Sequence, residues 1–359
     1  MSPEIAQRGL LDLSAQELAD WFEEHGQPRL RARQVRRWLL VAGAQSFEDM
    51  TDLPKSLRQE LGDFFLPLET RIQRHLQAAD GTHKLLLHLR DDQLIECVLI
   101  QEDRRRTACI STQVGCGMGC VFCASGLDGL VRNLTRAEVL EQLIRLRNLP
   151  DRSGSPAQRL THIVVMGMGE PLANLDTLLE ALAVASSKEA LGIGARHITI
   201  STVGLPAKIR RLADLGKQYH LAVSLHAAND SLRQQIVPTN DKSGLGPILD
   251  AADYFFQKTG RQVTFEYVLL GGINDSVAQA HELGKLLKER RAHINVIPFN
   301  DVAGLPYRRP EDHALAAFLD VLRGEGISVK VRKRKGSAID AACGQLRRQV
   351  EGRGSRIEN

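Results

Sequence analysis

Three cysteines stand close together near the end of the first third of the chain and are the residues best suited to chemistry. Cys116, Cys120 and Cys123 follow the spacing C-x3-C-x2-C, with Phe122 directly before the last of them. Glycines alternate with these thiols, at Gly115, Gly117 and Gly119. Because glycine adopts positive φ freely, this segment can curl three side chains toward one point. Three thiolates form a soft site that suits an iron–sulfur cluster or zinc. Clusters held entirely by protein normally have four cysteine ligands. Three cysteines therefore leave one metal position open for a substrate.

A structural zinc site and disulfide bonds are the two plainer interpretations of these cysteines. Zinc would need a fourth ligand, and the next histidine after the triad is His162. Disulfides need an oxidising compartment. The first ten residues, MSPEIAQRGL, contain no apolar segment of the kind found in signal peptides, and no apolar run is long enough to cross a bilayer. We therefore expect a cytoplasmic protein without a membrane partner, whose reduced thiols are available to a metal.

Composition and charge indicate a globular protein with more than one domain. The chain has 359 residues, 43% hydrophobic and 25% charged, and a formal net charge of +4 that is too small to indicate nucleic acid by itself. Its basic residues are clustered at 29–37, at 104–106 and from residue 327 to the end, where nine lysines and arginines face three acids. Such clusters can neutralise phosphates, although any single one is also compatible with a solvated face.

The elements that must position the cysteines change type along the chain. Residues 1–68 are predicted to form a helical accessory domain, in which Ser14 and Glu17 make a capping box before the first helix. Residues 69–103 contain two β-like runs, HKLLLHL and QLIECVLI, parted by a turn at 90–92, and are predicted to form a small bridging β-sheet. Residues 349–359 are predicted to form a basic C-terminal tail.

Residues 104–348 alternate strand and helix through six repeats before a last strand, ISVKVRK. This alternation predicts an α/β fold with parallel strands, a partial (βα)6 barrel, with a doubly wound sheet as the alternative. In parallel barrels, chemistry collects at the carboxyl ends of the strands. Polar residues and glycines follow the predicted strands at these ends: Gly169 with Glu170, Ser201, Ser224 with Leu225 and His226, Gly271 with Gly272, and Asn300.

These motifs together closely resemble one family. The stretch CISTQVGC with the cysteine triad, then RNLT, MGMGEPL, STVG, SLHA, IPFN and Cys343, is similar to the radical S-adenosylmethionine (SAM) adenosine C2-methyltransferases of ribosomal and transfer RNA. The similarity runs from the N-terminal helices to about Arg347. It implies that residues 104–348 form a radical SAM catalytic barrel and that residues 1–68 bind RNA.

The resemblance implies a set of cofactor ligands. Cys116, Cys120 and Cys123 would bind a [4Fe–4S] cluster whose fourth iron holds SAM. The resemblance assigns the remaining contacts to SAM to Gly169, Glu170, Ser201, Ser224, Leu225, His226 and Asn300. These residue types suit the ligand, because a carboxylate can pair with the SAM ammonium and serine or asparagine can hydrogen-bond its ribose or carboxylate.

The resemblance also implies three catalytic residues. Cys343 would take a methyl group from one SAM, and a second SAM would be cleaved at the cluster to a 5′-deoxyadenosyl radical that activates this methyl group for addition to C2 of adenine. Glu96 would accept a proton, and Cys109 would release the product by forming a disulfide with Cys343. A carrier thiolate is chemically sensible, because it is a good nucleophile and C2 is electrophilic. Cys97, beside Glu96 in the same predicted strand, points the other way and is interpreted as a packing residue.

The implied partners are 23S ribosomal RNA, transfer RNA and an external one-electron reductant such as flavodoxin, with the protein acting as a monomer. Two SAM molecules would be used per turnover. Three alternatives remain open at this point. One is a C8-methylating relative, which shares the cysteines, although the RNLT stretch is closer to the C2 type. The second is an RNA-binding protein with a structural iron–sulfur cluster. The third is a radical SAM enzyme that acts on a small molecule or peptide, against which the N-terminal helical domain and the basic tail stand.

Overall fold

The computed structural model describes residues 7–102, 104–151, 159–239, 243–300 and 304–332. The helices in these ranges are α1 (Ala15–Glu24), α2 (Leu30–Arg37), α3 (Lys55–Phe64), α4 (Arg136–Arg147), α5 (Leu175–Ser186), α6 (Pro206–Asp214), α7 (Asp230–Ile236), α8 (Leu245–Thr259), α9 (Val277–Leu287) and α10 (Asp312–Gly324). The strands are β1 (Arg8–Gly9), β2 (Phe65–Leu66), β3 (Arg71–Gln77), β4 (His83–His88), β5 (Leu94–Glu102), β6 (Arg105–Cys109), β7 (Gln113–Gly115), β8 (Leu130–Asn133), β9 (His162–Val165), β10 (Ile198–Thr202), β11 (His220–Ser224), β12 (Val263–Leu269), β13 (Ala292–Pro298) and β14 (Ser328–Val331).

One ten-stranded sheet organises the fold, in the order β14-β13-β12-β11-β10-β9-β6-β5-β4-β3. The seven strands from β6 to β14 in this order run parallel to their neighbours. Helices α4, α5, α6, α8, α9 and α10 connect them, so six βα units precede the last strand. The predicted partial (βα)6 barrel is therefore confirmed. Within the described ranges the sheet ends at β3 and β14, which leaves the barrel open.

The two faces of the parallel strands differ as their alternating sequences require. Residues such as Ile163, Ile198 and Ile200 are buried in the main core, whereas Ser224 and Glu266 line a cavity on the inner face. Successive side chains of a strand point to opposite faces, so one face can pack against the helices while the other carries polar groups. The sequence of each strand thus builds the outer core and the inner cavity wall together.

The predicted β extension is present and continues the barrel sheet. The two predicted runs are β4 and β5, which pair antiparallel across a turn that contains Asp92 at φ 62. A further strand, β3, precedes them and forms the edge of the sheet, and β5 pairs antiparallel with β6. The bridge between the helical region and the barrel is thus built by backbone hydrogen bonds within one sheet.

The N-terminal helices pack directly onto the barrel. Ser14 and Glu17 form the predicted capping box at α1, and α2 passes into a π-helical turn that ends at Gly43 with φ 77. Asp12 accepts a hydrogen bond from the backbone of Ala137 in α4 at 3.1 Å. One apolar core runs through both regions. The domain boundaries at residues 68 and 103 stay predictions, and the one at 348 lies outside the described residues.

In the described part of the chain, no helix combines the length and the apolar character needed to span a membrane.

Candidate active site

The cysteine loop projects from β7 and returns through β8. These two short strands pair antiparallel, and Cys116 donates its backbone N–H to the carbonyl oxygen of Gly129 at 2.8 Å, which closes the loop. Gly115 has φ 77, and a side chain there would place its Cβ 2.1 Å from the same oxygen. The glycine before the first cysteine is therefore required both by its backbone conformation and by the close approach of the returning strand.

The loop rests on α7 and on the segments that follow β10 and β13. Val121 donates its backbone N–H to the carbonyl oxygen of Ile236 at 3.1 Å. Phe122, the aromatic residue inside the motif, packs against an apolar cluster that contains Val203 and Phe299. The loop is thus anchored to the carboxyl ends of the strands by one hydrogen bond and a small core of its own.

A buried arginine ties these strand ends together beneath the loop. The guanidinium of Arg233 donates from Nη2 to the carbonyl oxygens of Val203 (2.5 Å) and Ser224 (3.1 Å). Its Nε donates to the carbonyl oxygen of Leu225 at 3.0 Å. Burial lowers the pKa of Arg233 to about 10, against the opposing effect of nearby Cys120. No sequence motif marks this residue, because its role depends on how α7 lies against β10 and β11.

A cavity of about 220 Å³ opens inside the barrel next to the cysteine loop. Eight of the residues predicted from the sequence line it: Cys116, Cys120, Cys123, Gly169, Glu170, Ser201, Ser224 and His226. These residues come from the cysteine loop and from the ends of β9, β10 and β11. The structure therefore brings the predicted cluster ligands and most of the predicted SAM contacts to one wall, although their roles stay predictions.

The three thiols suit an iron–sulfur cluster in their chemistry and position. Burial raises the pKa of all three, to about 12 for Cys116, and Cys116 and Cys120 each interact with Cys123. Among the described residues, no three His, Cys, Asp or Glu side chains already stand in metal-ligating geometry. The loop would therefore draw these soft donors together around the metal, which also deprotonates them.

The turn after β9 is shaped by two close backbone approaches. A Cβ on Gly167 would lie 2.6 Å from the backbone of Ile110, and one on Gly169, where φ is 99, would lie 2.5 Å from Cβ of Gln113. Gln113 accepts a hydrogen bond from the backbone N–H of Glu170 at 2.8 Å. The sequence G-M-G-E is thus needed to press this turn against the strand that leads into the cysteine loop.

The carboxylate of Glu170 is buried and accepts two backbone hydrogen bonds. Its oxygens receive the N–H groups of Leu172 (2.9 Å) and Val203 (2.8 Å). Burial raises the pKa of Glu170, while these hydrogen bonds act in the opposite direction. Carboxylate oxygens have further lone pairs, so the group can still accept a bond from a cationic ligand in the cavity.

His226 has an unusual backbone conformation and a defined tautomer. Its φ is 61, a left-handed value that is uncommon outside glycine, and its ring packs edge-on against Phe122. Its Nδ1 accepts the backbone N–H of Val268 at 3.0 Å, so the ring proton is on Nε2. Burial lowers the pKa of His226 to about 3. The residue is therefore a neutral donor at the cavity wall.

Two predicted SAM contacts lie outside the cavity lining. The side chain of Leu225 is fully buried in the main core, and its carbonyl oxygen is taken by Arg233. Asn300 is half-buried at the end of the described segment that follows β13. A contact from Leu225 would have to come from its backbone, and both assignments stay predictions.

Cys109 and Glu96 lie on the same face of the sheet. Cys109 pairs with Val98 of β5, and Glu96 is two positions from Val98, so the three side chains point the same way. Cys97 points to the opposite face and is buried in the main core, as expected for a packing residue. The five described cysteines are free thiols. Cys343 lies outside the described residues, so the implied disulfide with Cys109 is untested.

Two charged cavity residues were not anticipated from the sequence. Glu266 in β12 accepts a hydrogen bond from Asn295 at 3.0 Å through Oε1, while its buried Oε2 has no partner among the described residues. Arg332 follows β14, lines the same cavity and opposes the effect of burial, which raises the pKa of Glu266. Glu266 lies at an inward position of β12, and the alternation of that strand could have indicated it. Arg332 is the first residue after β14, where the same alternation continues inward.

The fold and the cysteine loop define a class of protein, the radical SAM enzymes. Residues 110–283 match the Radical SAM superfamily, and residues 8–65 match the Ribosomal RNA large subunit methyltransferase N-terminal domain. A solved structure of a radical SAM methyltransferase from Sphaerobacter thermophilus is 42% identical, with a TM-score of 0.89 over 94% of this chain and 98% of that chain. SAM and a [4Fe–4S] cluster are the cofactors that this class implies.

Curated relatives narrow the class to a family. A probable dual-specificity RNA methyltransferase RlmN from Rhodopirellula baltica is 54% identical over 340 residues, which are 94% of this chain and 90% of the relative. A second, named RlmN 3 and found in Opitutus terrae, is 46% identical over 92% of this chain and 91% of its own length. The chain belongs to the RlmN family of radical SAM methyltransferases.

Proposed function

We propose that this enzyme methylates C2 of adenosine in RNA. The substrates would be one adenosine of the peptidyl transferase centre in 23S rRNA and the adenosine 3′ to the anticodon in tRNA. Support comes from relatives that cover nearly the whole chain and are named dual-specificity RNA methyltransferases, and from the match of residues 8–65 to a ribosomal RNA methyltransferase domain.

The observation that carries the proposal is the shared orientation of Cys109 and Glu96. A thiol outside the cysteine triad and a carboxylate lie on the inner face of neighbouring strands, and Cys109 also receives a backbone hydrogen bond from Met166, which lines the cavity. A cluster with a purely structural role would need neither group. The proposed chemistry needs both, one to resolve a thioether and one to accept a proton.

Each thiol has a distinct role in the proposed reaction. Cys116, Cys120 and Cys123 would hold the cluster, and Gly169, Glu170, Ser201, Ser224, Leu225, His226 and Asn300 would bind SAM. The cluster with SAM, when bound, would supply a 5′-deoxyadenosyl radical that activates a methyl group carried on Cys343. Glu96 then accepts the proton of C2, and Cys109 attacks the Cys343 sulfur to free the methylated base. The target base has to leave its stack to reach these groups inside the barrel.

The basic surface of α2 is the proposed contact to RNA outside the barrel. Arg33 and Arg37 are exposed on this helix and border a groove between α2 and the end of α5. Lys188 lines the same groove. Exposed positive side chains on one surface can neutralise the phosphates of folded RNA. The enzyme would act as a monomer in the cytoplasm, and a one-electron donor such as flavodoxin would reduce it.

The decisive experiment is anaerobic turnover followed by mass spectrometry of nucleosides. The reconstituted enzyme, SAM, a one-electron reductant and either a 23S rRNA fragment or tRNA are incubated, and the RNA is digested. We expect 2-methyladenosine and an equal amount of 5′-deoxyadenosine. Production of 8-methyladenosine instead would assign the enzyme to the C8-methylating relatives. RNA binding without 5′-deoxyadenosine would favour an RNA-binding protein with a structural cluster.

A further inference from the structure

Lys84 and Glu96 form an ion pair that is closed off from solvent. Nζ of Lys84 lies 2.9 Å from Oε2 of Glu96, and the two side chains are 0% and 1% exposed. The next two residues of β4, Leu85 and Leu86, are also fully buried. Burying two charges has a large desolvation cost, and apolar side chains of similar size often stabilise a fold as well or better. Stability alone is therefore a poor explanation for this pair.

The sheet register places Lys84 in the same row as Cys109. Lys84 pairs with Val98 across β4 and β5, and Val98 pairs with Cys109 across β5 and β6. Side chains that are directly opposite in neighbouring strands point to the same face, so Lys84, Glu96 and Cys109 share the inner face. The lysine is two strands from the thiol, about 10 Å between backbones, a gap that its long side chain partly spans.

Glu96 is also fixed through its backbone. Ser111 donates its Oγ hydrogen to the carbonyl oxygen of Glu96 at 2.6 Å and accepts the backbone N–H of Met168 at 2.8 Å. Met168 lies in the turn between Gly167 and Gly169 beside the cavity. The position of Glu96 is thus coupled to the cavity wall by Ser111, and Lys84 holds one of its carboxylate oxygens.

The charge of Lys84 also acts on the thiol. Burial raises the pKa of Cys109, and Arg332 and Lys84 both oppose this effect. Three charged groups thus face the thiol: Lys84 and Glu96 from the antiparallel strands, and Arg332 after β14. The two cations are on opposite sides of Cys109 in strand order, so they favour its thiolate from both sides.

We propose that Lys84 is a positioning residue for the last steps of methyl transfer, aiming the carboxylate of Glu96 and placing a positive charge beside Cys109. The proposal rests on the proposed function. Lys84 itself touches neither substrate nor cofactor in this role. It acts on the two groups that would finish the reaction after the carbon–carbon bond to C2 has formed.

Two steps depend on Lys84, the loss of the C2 proton and the cleavage of the thioether on Cys343. As the C2 proton passes to Glu96, one electron also leaves the adduct, and the iron–sulfur cluster that Cys116, Cys120 and Cys123 would hold would be its acceptor. The thiolate of Cys109 then attacks the sulfur of Cys343, so that an S–S bond forms and the S–C bond breaks. The electron pair stays on the carbon attached to C2, and this carbon takes up a proton to complete the methyl group. A correctly oriented Glu96 carboxylate favours the proton transfer, and an ionised Cys109 thiolate favours the attack on sulfur.

The test compares Lys84→Met, which removes the charge at similar length, with Lys84→Arg, which keeps it. Lys285→Met, at an exposed lysine in α9, is the control. Each full-length holoenzyme is assayed for methylated Cys343 by intact-protein mass spectrometry, for RNA linked to protein on denaturing gels with and without nuclease, and for methyladenosine. Circular dichroism reports the fold. Lys84→Gln, which keeps a donor for Glu96 without the charge, is used if Lys84→Met does not fold.

We expect Lys84→Met to methylate Cys343 within about threefold of wild type, to form methyladenosine about 100-fold more slowly, and to accumulate RNA-linked protein, because only late proton transfer and resolution are impaired. Lys84→Arg should recover at least tenfold of the lost rate. Methyladenosine formation within threefold of wild type in Lys84→Met, or in Lys84→Gln where that variant is used, would overturn the proposal. Equal loss of Cys343 methylation and methyladenosine would also overturn it, because Lys84 would then support the whole site. Wild-type enzyme that makes 8-methyladenosine would overturn only the C2 assignment, since the same comparison of rates still reports on Lys84.

Discussion

His226 accepts the backbone N–H of Val268 through Nδ1 at 3.0 Å, which joins the end of β11 to the end of β12 across the cavity wall. Only the neutral ring can accept this bond, and burial lowers the pKa of His226 to about 3 from an ordinary 6.5. As pH falls, the unfolded chain therefore takes up a proton at this residue before the folded protein does. The folded state loses stability from pH 6.5 downward, until the folded group itself titrates near pH 3.

Replacement of His226 by asparagine tests this linkage. Asparagine tolerates the left-handed backbone and does not titrate, so the variant lacks the pH-dependent loss. Between pH 7 and pH 5 the free energy of unfolding of wild type should fall by about 2 kcal/mol more than that of His226→Asn. Equilibrium urea denaturation at both pH values measures the difference. Equal falls for the two proteins would mean that the pKa of His226 is the same in the folded and unfolded states.

Removal of the Arg233 guanidinium should destabilise the strand ends that support the cysteine loop. Arg233→Met leaves the carbonyl oxygens of Val203, Ser224 and Leu225 buried without their donor, which should cost about 3 kcal/mol or more of unfolding free energy. The matched control is Arg211→Met, at an exposed arginine paired with Asp176, where we expect little change. Urea denaturation gives the stability, and iron content after reconstitution reports the loop. Full iron content in an Arg233→Met protein of normal stability would contradict the argument.

A methyl group at Gly169 should disturb the turn that carries Glu170. The Cβ of Gly169→Ala would meet Gln113 at 2.5 Å, in a backbone conformation at φ 99 that alanine rarely adopts. We expect a loss of about 2–4 kcal/mol in unfolding free energy and weaker SAM binding in the reconstituted protein. Gly194→Ala, where φ is −62 and nothing lies within 4 Å, is the control and should behave as wild type. Similar behaviour of the two variants would show that the turn adapts.

RNA that stays covalently attached to the protein reports the order in which Cys343 and Cys109 react. Cys109→Ala should still form the bond between C2 and the methylene on Cys343, but no thiolate then cleaves the thioether, so RNA should remain attached to the protein. Cys97→Ala is the control, because Cys97 is buried on the opposite face of the sheet and should release its product. Denaturing gels with and without nuclease show the adduct. The double variant lacking Cys109 and Cys343 should carry no RNA, and an RNA-free Cys109→Ala protein would remove Cys109 from the proposed mechanism.

Local sequence signals predicted much of this architecture. The capping box at Ser14 gives a helix start that the structure reproduces, because the bonds involved span only three residues. The alternation of strands with helices predicted the open parallel barrel for a similar reason, because each βα unit is encoded by one short stretch of sequence. The cavity then follows, because parallel strands end at one edge.

Local sequence signals could not predict contacts between elements that are distant in the chain. Lys84 and Glu96 are twelve positions apart on two strands, and their pairing is fixed only by the register of the hairpin. Arg233 reads as an ordinary surface arginine of a short helix until α7 is packed under the loop. In both cases one residue of shift in register or in helix rotation would separate the partners, and no local pattern determines that choice.

The open barrel leaves β3 at an edge of the ten-stranded sheet, and this position bears on aggregation. An unpaired edge is a template on which another chain can add a strand. Arg71, Arg74 and His75 are exposed along β3, and the strand contains a register irregularity between Ile72 and Arg74. Positive side chains and a broken hydrogen-bond ladder are both features that oppose edge-to-edge growth. A large open sheet can thereby stay dispersed in a crowded solution without a covering partner at this end.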